Sequence, residues 1–238
     1  MEKWRAERIG LTKNVTLEWM ELAANCKTNG MPQDEAYHLL NEKIGETIHS
    51  SVNVKQIRII LLNMWYRPED WFLERCTEVA KGLPSTERIA IHWALLLERY
   101  PVFYDLCNVI GELFDYRDDI TLAQIRNRIF EKWGARNTLE NCLSKNIQMF
   151  RELKALNTVK PVGTYTRNVM PISEIYIMQL LCIAVITASG KEYMRWEEVI
   201  QHPALFPFQI INMNQADMSA CEKLVLERMG DDVVIRVR

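Results

Sequence analysis

Residues 120–170 read ITLAQIRNRIFEKWGARNTLENCLSKNIQMFRELKALNTVKPVGTYTRNVM. Leu122, Ile125, Ile129 and Trp133 recur at helical spacing and stop at Gly134, a residue free to leave the helix at positive φ. A second apolar stripe, Leu139, Cys142, Leu143, Ile147, Phe150 and Leu153, predicts another helix, with Asn137 or Thr138 at its cap. Residues 157–168 then alternate β-prone side chains around Pro161 and Gly163, the pattern of a hairpin. Helix, short turn, helix and hairpin is the order of a winged helix-turn-helix.

The charge of this stretch sets it apart. Residues 121–170 hold nine Lys/Arg (Arg126, Arg128, Lys132, Arg136, Lys145, Arg151, Lys154, Lys160 and Arg167) against three acids (Glu131, Glu140 and Glu152). The segment is therefore +6 in a chain of net charge −2. Residues 71–120 sum to −4, residues 171–238 to −3 and residues 1–70 to −1, so the whole-chain balance conceals a local cationic island. Concentrated positive charge on such a motif is what a phosphate backbone attracts.

In a helix-turn-helix the first turns of the second helix reach base edges. Arg136, Asn137, Thr138, Asn141 and Lys145 are the expected groove-facing groups. Asn can pair bidentately with adenine and Arg with guanine. Lys145, Lys160 and Arg167 are expected at phosphates, Arg126 and Arg128 on the flanking backbone, and Tyr165 on the hairpin against a sugar or phosphate. The competing reading is that Asn137 and Thr138 only cap, and that a winged helix serves protein contact.

The remaining sequence predicts a mostly α fold: a helical body, the winged helix-turn-helix and a second C-terminal β-hairpin module. Helices are expected over residues 14–30, 32–50, 52–67, 69–82 and 86–100, and from Pro101 to about residue 115. Ser85 or Thr86 is the expected cap of the fifth, and Asp118 or Asp119 that of the helix after residue 120. Lys55, Gln56 and Arg58 mark a modestly polar face on the third, which with its predecessor also resembles a helix-turn-helix. Residues 1–13 form a charged lead with Lys3, Trp4, Arg5, Arg8 and Lys13. Short linkers give three segments of one packed body: 1–72, 73–171 and 172–238. The last begins with a greasy helix and ends in KLVLERMGDDVVIRVR, two strand-like runs around Gly230, Asp231 and Asp232.

Several function classes recede on the same evidence. The six cysteines form no CxxC pair and do not cluster with the four histidines, so buried thiols are expected in a cytoplasmic protein, with no metal and no cofactor. The longest apolar run, residues 175–188, has 14 residues, short of the ~18–20 that span a bilayer. No P-loop, GxGxxG, HExxH or GxSxG is present, and Asp118-Asp119 and Glu197-Glu198 lack the converging carboxylates and lysine of a nuclease. An enzyme is not expected.

Taken in order, LTKNVTLEWMELAANCKTNGMPQDEAYHLLNEKI, SSVNVKQIRIILLNMW, LLERYPVFYDLCNVIGELF, NTLENCLSKNIQMFRELKAL and the terminal MGDDVVIRVR resemble the BrxA-type proteins of BREX phage-defence systems. The resemblance lies in the pattern of elements across most of the chain. It implies a mostly helical, non-enzymatic protein that binds double-stranded DNA beside other defence-system proteins. The acidic last third departs from a molecule that coats DNA along its whole length. The alternative expectation is a protein–protein adaptor that docks a larger enzyme.

Overall fold

The computed structural model describes residues 10–238; Lys3, Trp4, Arg5 and Arg8 of the charged lead lie outside the described residues. Six helices come first: α1 (Leu17–Thr28), α2 (Gln33–Gly45), α3 (Ser51–Trp65), α4 (Trp71–Lys81), α5 (Ser85–Arg99) and α6 (Pro101–Phe114). Thr16, Ser50 and Asp70 cap α1, α3 and α4 by accepting from backbone N–H groups in the first turn. α5 differs from expectation: Pro84 precedes it and no side chain caps it.

One hydrophobic core runs from Leu11 to Ile235 and is shared by all three segments. Trp93 of α5 stands at its centre, stacked on Phe150 at 5.0 Å and edge-on to Phe103 at 5.1 Å and Phe208 at 5.6 Å. A polar seam joins α1, α3 and α5. Trp65 Nε1 donates to His92 Nδ1 (3.2 Å), which leaves the proton on Nε2 to donate to Glu21 (2.8 Å). Arg88 closes the seam at 2.6 Å from the other Glu21 oxygen. Arg58 corrects its sequence placement: it is 5% exposed, lies 3.7 Å over the Tyr37 ring and bonds Asn41.

The basic stretch follows as β1 (Asp119–Thr121), α7 (Leu122–Trp133), α8 (Asn137–Glu152), β2 (Leu156–Val159) and β3 (Thr164–Arg167). The strands form an antiparallel sheet in the order β1-β3-β2, with Ile120 opposite Tyr165 and Tyr165 opposite Thr158. β1 has no counterpart among the expected elements. It is three residues long, too short for periodicity, and Thr121 rather than Asp118 or Asp119 caps α7 through a capping box with Gln124.

The last third mixes short strands and helices. β4 (Met170–Ile172) leads to α9 (Ile175–Ser189), β5 (Met194–Arg195) and α10 (Trp196–Ile200). A 3₁₀ turn (Pro203–Leu205), β6 (Phe208–Ile210), α11 (Gln215–Ser219), β7 (Leu224–Met229) and β8 (Asp232–Val237) complete the chain. β4 and β6 pair in parallel, and β5-β8-β7 is a second antiparallel sheet whose first strand again pairs with the third. The expected terminal hairpin is present, turning at Gly230 with φ 66°. All six cysteines are buried and free, and no helix among the described residues is long and apolar enough to cross a membrane.

The 3₁₀ turn is clamped between α6 and the core. His202 Nδ1 accepts from the Ala204 N–H at 3.1 Å, which caps the turn, and its ring stacks on Tyr104. Burial pushes the imidazole pKa down to about 4, the Glu198 carboxylate opposing this and Lys191 adding to it. A folded pKa below the unfolded ~6.5 means that the unfolded chain takes up a proton the native state refuses. The stability contribution of His202 is thus intact above pH 6.5 and is lost as pH falls from 6.5 toward 4. His202→Asn keeps an acceptor without titrating. Urea unfolding across this range should show wild type losing about 3 kcal/mol more than the variant. Parallel profiles would exclude His202 as the acid-sensitive group.

Candidate nucleic-acid interface

α8 presents two distinct sides. Leu139, Cys142, Leu143, Asn146, Ile147, Met149 and Phe150 are buried, and Phe150 anchors the helix against Trp93. Asn137, Thr138, Asn141 and Ser144 are exposed, Lys145 and Gln148 are half-buried and Arg151 is exposed. At 100° per residue these seven fall on one continuous arc of the helix. The outer face therefore combines short hydrogen-bonding groups with two cations.

The three-residue turn before α8 is held from both sides. Gly134 takes φ 76°, which an L side chain would resist. Lys132 and Trp133 Nε1 both bond the buried Asp105 of α6, at 2.6 and 2.8 Å. Arg136 donates to the Trp133 carbonyl at 3.2 Å and is itself the cap residue of α8. The helix begins at Asn137 with no side-chain cap, so neither Asn137 nor Thr138 caps, contrary to that part of the sequence reading.

The nine cations divide by helix. Those of α7 are engaged: Arg126 pairs with Glu140 at 2.9 Å, Arg128 with Glu112 at 3.6 Å and Lys132 with Asp105. These pairs tie α7 to α8 and α6, and they offset the charge expected to hold a flanking backbone. Lys145, Arg151, Lys154, Lys160 and Arg167 have no ion-pair partner among the described residues. Lys160 begins the tip of the β2–β3 hairpin, beside Val162, which is 96% exposed.

Two hairpin residues differ from expectation in where they lie. Tyr165 is 6% exposed and packs in the core, so its ring is not displayed to solvent for stacking on a sugar or phosphate. Along β3, Thr164 and Tyr165 are buried, Thr166 is half-buried and Arg167 is exposed. Arg167 is opposite Leu156, at the base of the hairpin and away from its tip. There it lines a cleft of about 370 Å3 with Asp115 and the segment around His202.

Sequence reasoning missed Asn146. This side chain is 1% exposed, and its amide donates to the carbonyls of Cys142 (2.7 Å) and Leu11 (3.4 Å). It fastens the chain before α1 to the back of α8, with Asn14 bonding Glu152 at 3.2 Å. A polar residue in the apolar phase of α8 was the available signal. Among the described residues no three His, Cys, Asp or Glu converge as a metal site. Comparison with protein-family models, curated proteins and solved structures returned no match to this chain.

Proposed function

We propose that the protein is a non-catalytic binder of duplex DNA, built on a winged helix-turn-helix in which α7 and α8 are the two helices and β2–β3 is the wing. The order helix, strand, helix, helix, hairpin with the sheet β1-β3-β2 supports that assignment. The observation that carries the reading is the outer face of α8. It is exposed, holds Thr138, Asn141, Ser144 and Gln148 beside Lys145 and Arg151, and adjoins a hairpin bearing the unpaired Lys160. Such a face offers hydrogen bonds to base edges and cations to phosphates together. The resemblance to BrxA-type proteins supports a cytoplasmic accessory role in phage defence alongside other defence proteins.

Affinity then comes largely from counterion release, and salt tests it. Five phosphate contacts give a log–log slope of binding constant against salt between about −4 and −5, at roughly −0.9 per contact. Fluorescence anisotropy with a labelled duplex between 50 and 200 mM salt, on the order of the range where this effect is large, measures it. A slope near zero, or no binding at the lowest salt, removes duplex DNA as the ligand.

A second reading rests on a groove elsewhere. Trp71 of α4 and Ile175 and Tyr176 of α9 line a cleft of about 700 Å3 with Glu78, Glu174 and Glu222. Ile175 and Tyr176 are exposed apolar side chains, and the carboxylates would repel a polyanion. This face suits an adaptor that docks a protein. A chain that purifies free of nucleic acid and ignores a heparin column favours the adaptor over the DNA binder.

A further inference from the structure

The tip of the β2–β3 hairpin carries the most exposed large apolar side chain among the described residues, Val162 at 96%. Lys160 and Pro161 beside it are exposed as well. The tip is pinned at its base. The Thr164 N–H donates to the Pro161 carbonyl at 3.1 Å, and the Leu122 N–H donates to the Gly163 carbonyl at 2.8 Å. Little ordering entropy is then lost when a partner closes on it. No Asp or Glu lies between Glu152 and Glu174 in the chain, and Lys160 has no ion-pair partner among the described residues.

The complementary features meet in the groove between α4, α9 and α11. α9 is buried from Ile177 to Ile186, yet its first turn shows Ile175 and Tyr176 to solvent, and Trp71 of α4 shares the groove with them. Four carboxylates line it against one guanidinium. Glu78 pairs with that Arg75 at 2.9 Å, and Asp217 accepts from the Asn214 N–H at 3.0 Å in the cap of α11. Glu222 accepts from Trp71 Nε1 at 2.6 Å, and neither it nor Glu174 has an ion-pair partner among the described residues. An exposed apolar patch rimmed by charge marks a protein-contact site. We propose that a second copy of this chain fills the groove with its hairpin tip, Val162 against Ile175, Tyr176 and Trp71, and Lys160 at Glu174 and Glu222. Each surface supplies what the other lacks: a rigid apolar knob beside a free cation, and an apolar floor beside free carboxylates. The two surfaces differ, so the contact is head-to-tail. It does not rest on the duplex-binding reading. A hairpin tip covers little area, below the roughly 1,200 Å2 of standard interfaces, so the association is weak and shows at high protein concentration.

Sedimentation equilibrium of the full chain at low salt, without DNA, tests this. The weight-average mass of wild type should rise with concentration above the 27.9 kDa of one chain. Lys160→Ser with Val162→Ser strips the tip of its charge and its apolar side chain. Ala220→Arg places a bulky cation in the groove. Each variant alone should stay at 27.9 kDa and keep the wild-type melting temperature, because all three positions are exposed. Glu174→Lys should repeat the loss of assembly by charge alone. Mixed in equal amounts, the tip variant and the groove variant should form a complex of two chains and nothing larger, since each retains the surface the other has lost. Wild type that stays at 27.9 kDa at every concentration overturns the second copy as occupant and leaves the groove to a different protein. Assembly that persists in either variant overturns the contact of tip with groove. So does a mixture that stays monomeric while wild type assembles.

Discussion

Arg136→Glu combined with Lys145→Glu abolishes retention of duplex DNA in a gel shift and leaves the melting temperature nearly unchanged. The pair spans the first turns of α8, where base edges and phosphates lie closest to a recognition helix. Reversal removes two attractive charges and places two carboxylates against the polyanion. The salt slope measured on any residual binding should shrink by about 2, at roughly 0.9 per lost contact, and affinity should fall by at least about 100-fold. Stability barely changes because Lys145 has no ion-pair partner and Arg136 contributes one exposed hydrogen bond, to Trp133. Arg126→Glu should behave in the opposite way. Its charge is already offset by Glu140, so reversal disturbs the α7–α8 junction more than it disturbs DNA. Unaltered DNA binding by the double variant would take this face out of the interface.

Gly111→Ala is expected to destabilise the whole protein. A Cβ at this position would sit 2.1 Å from the Pro203 carbonyl oxygen and 2.6 Å from its carbon, both backbone atoms. Neither α6 nor the 3₁₀ turn can retreat easily, since Phe206 just beyond the turn packs on Phe114 and Phe150. Overpacking of this kind costs about 3 kcal/mol. For a chain of this size that lowers the melting temperature by roughly 6–12 °C. Urea unfolding should show a lower midpoint at constant slope, the mark of lost stability without a change in the unfolded ensemble. A variant as stable as wild type would mean that the two segments do not meet as closely as described.

Gly111 was invisible beforehand, and the reason is general. A glycine inside an apolar helix, as in NVIGELF, carries no local sign of the backbone that will press on it from 92 residues further along the chain. The ion pairs of Arg126 and Arg128 were hidden for the same reason. Their partners, Glu140 and Glu112, are close only after the helices pack, and before that both arginines read as free charge. The burial of Tyr165 was hidden because β3 is the central strand of its sheet and two adjacent residues, Thr164 and Tyr165, are both buried.

Other features were legible because their causes are local. Gly134 ends α7, the stripe from Leu139 to Phe150 is the buried side of α8, and Gly230 turns the terminal hairpin. Each depends on spacing or backbone freedom within a few residues, and hydrophobic periodicity over 16 residues survives any tertiary context. What the chain wrote plainly was therefore its helices, its hairpins and a surplus of cations between residues 121 and 170. Which of those cations remain unpaired, that Tyr165 is buried and that α6 meets Pro203 edge to edge were settled by packing. Ion pairing and steric contact between distant residues depend on distances that exist only once the core has closed.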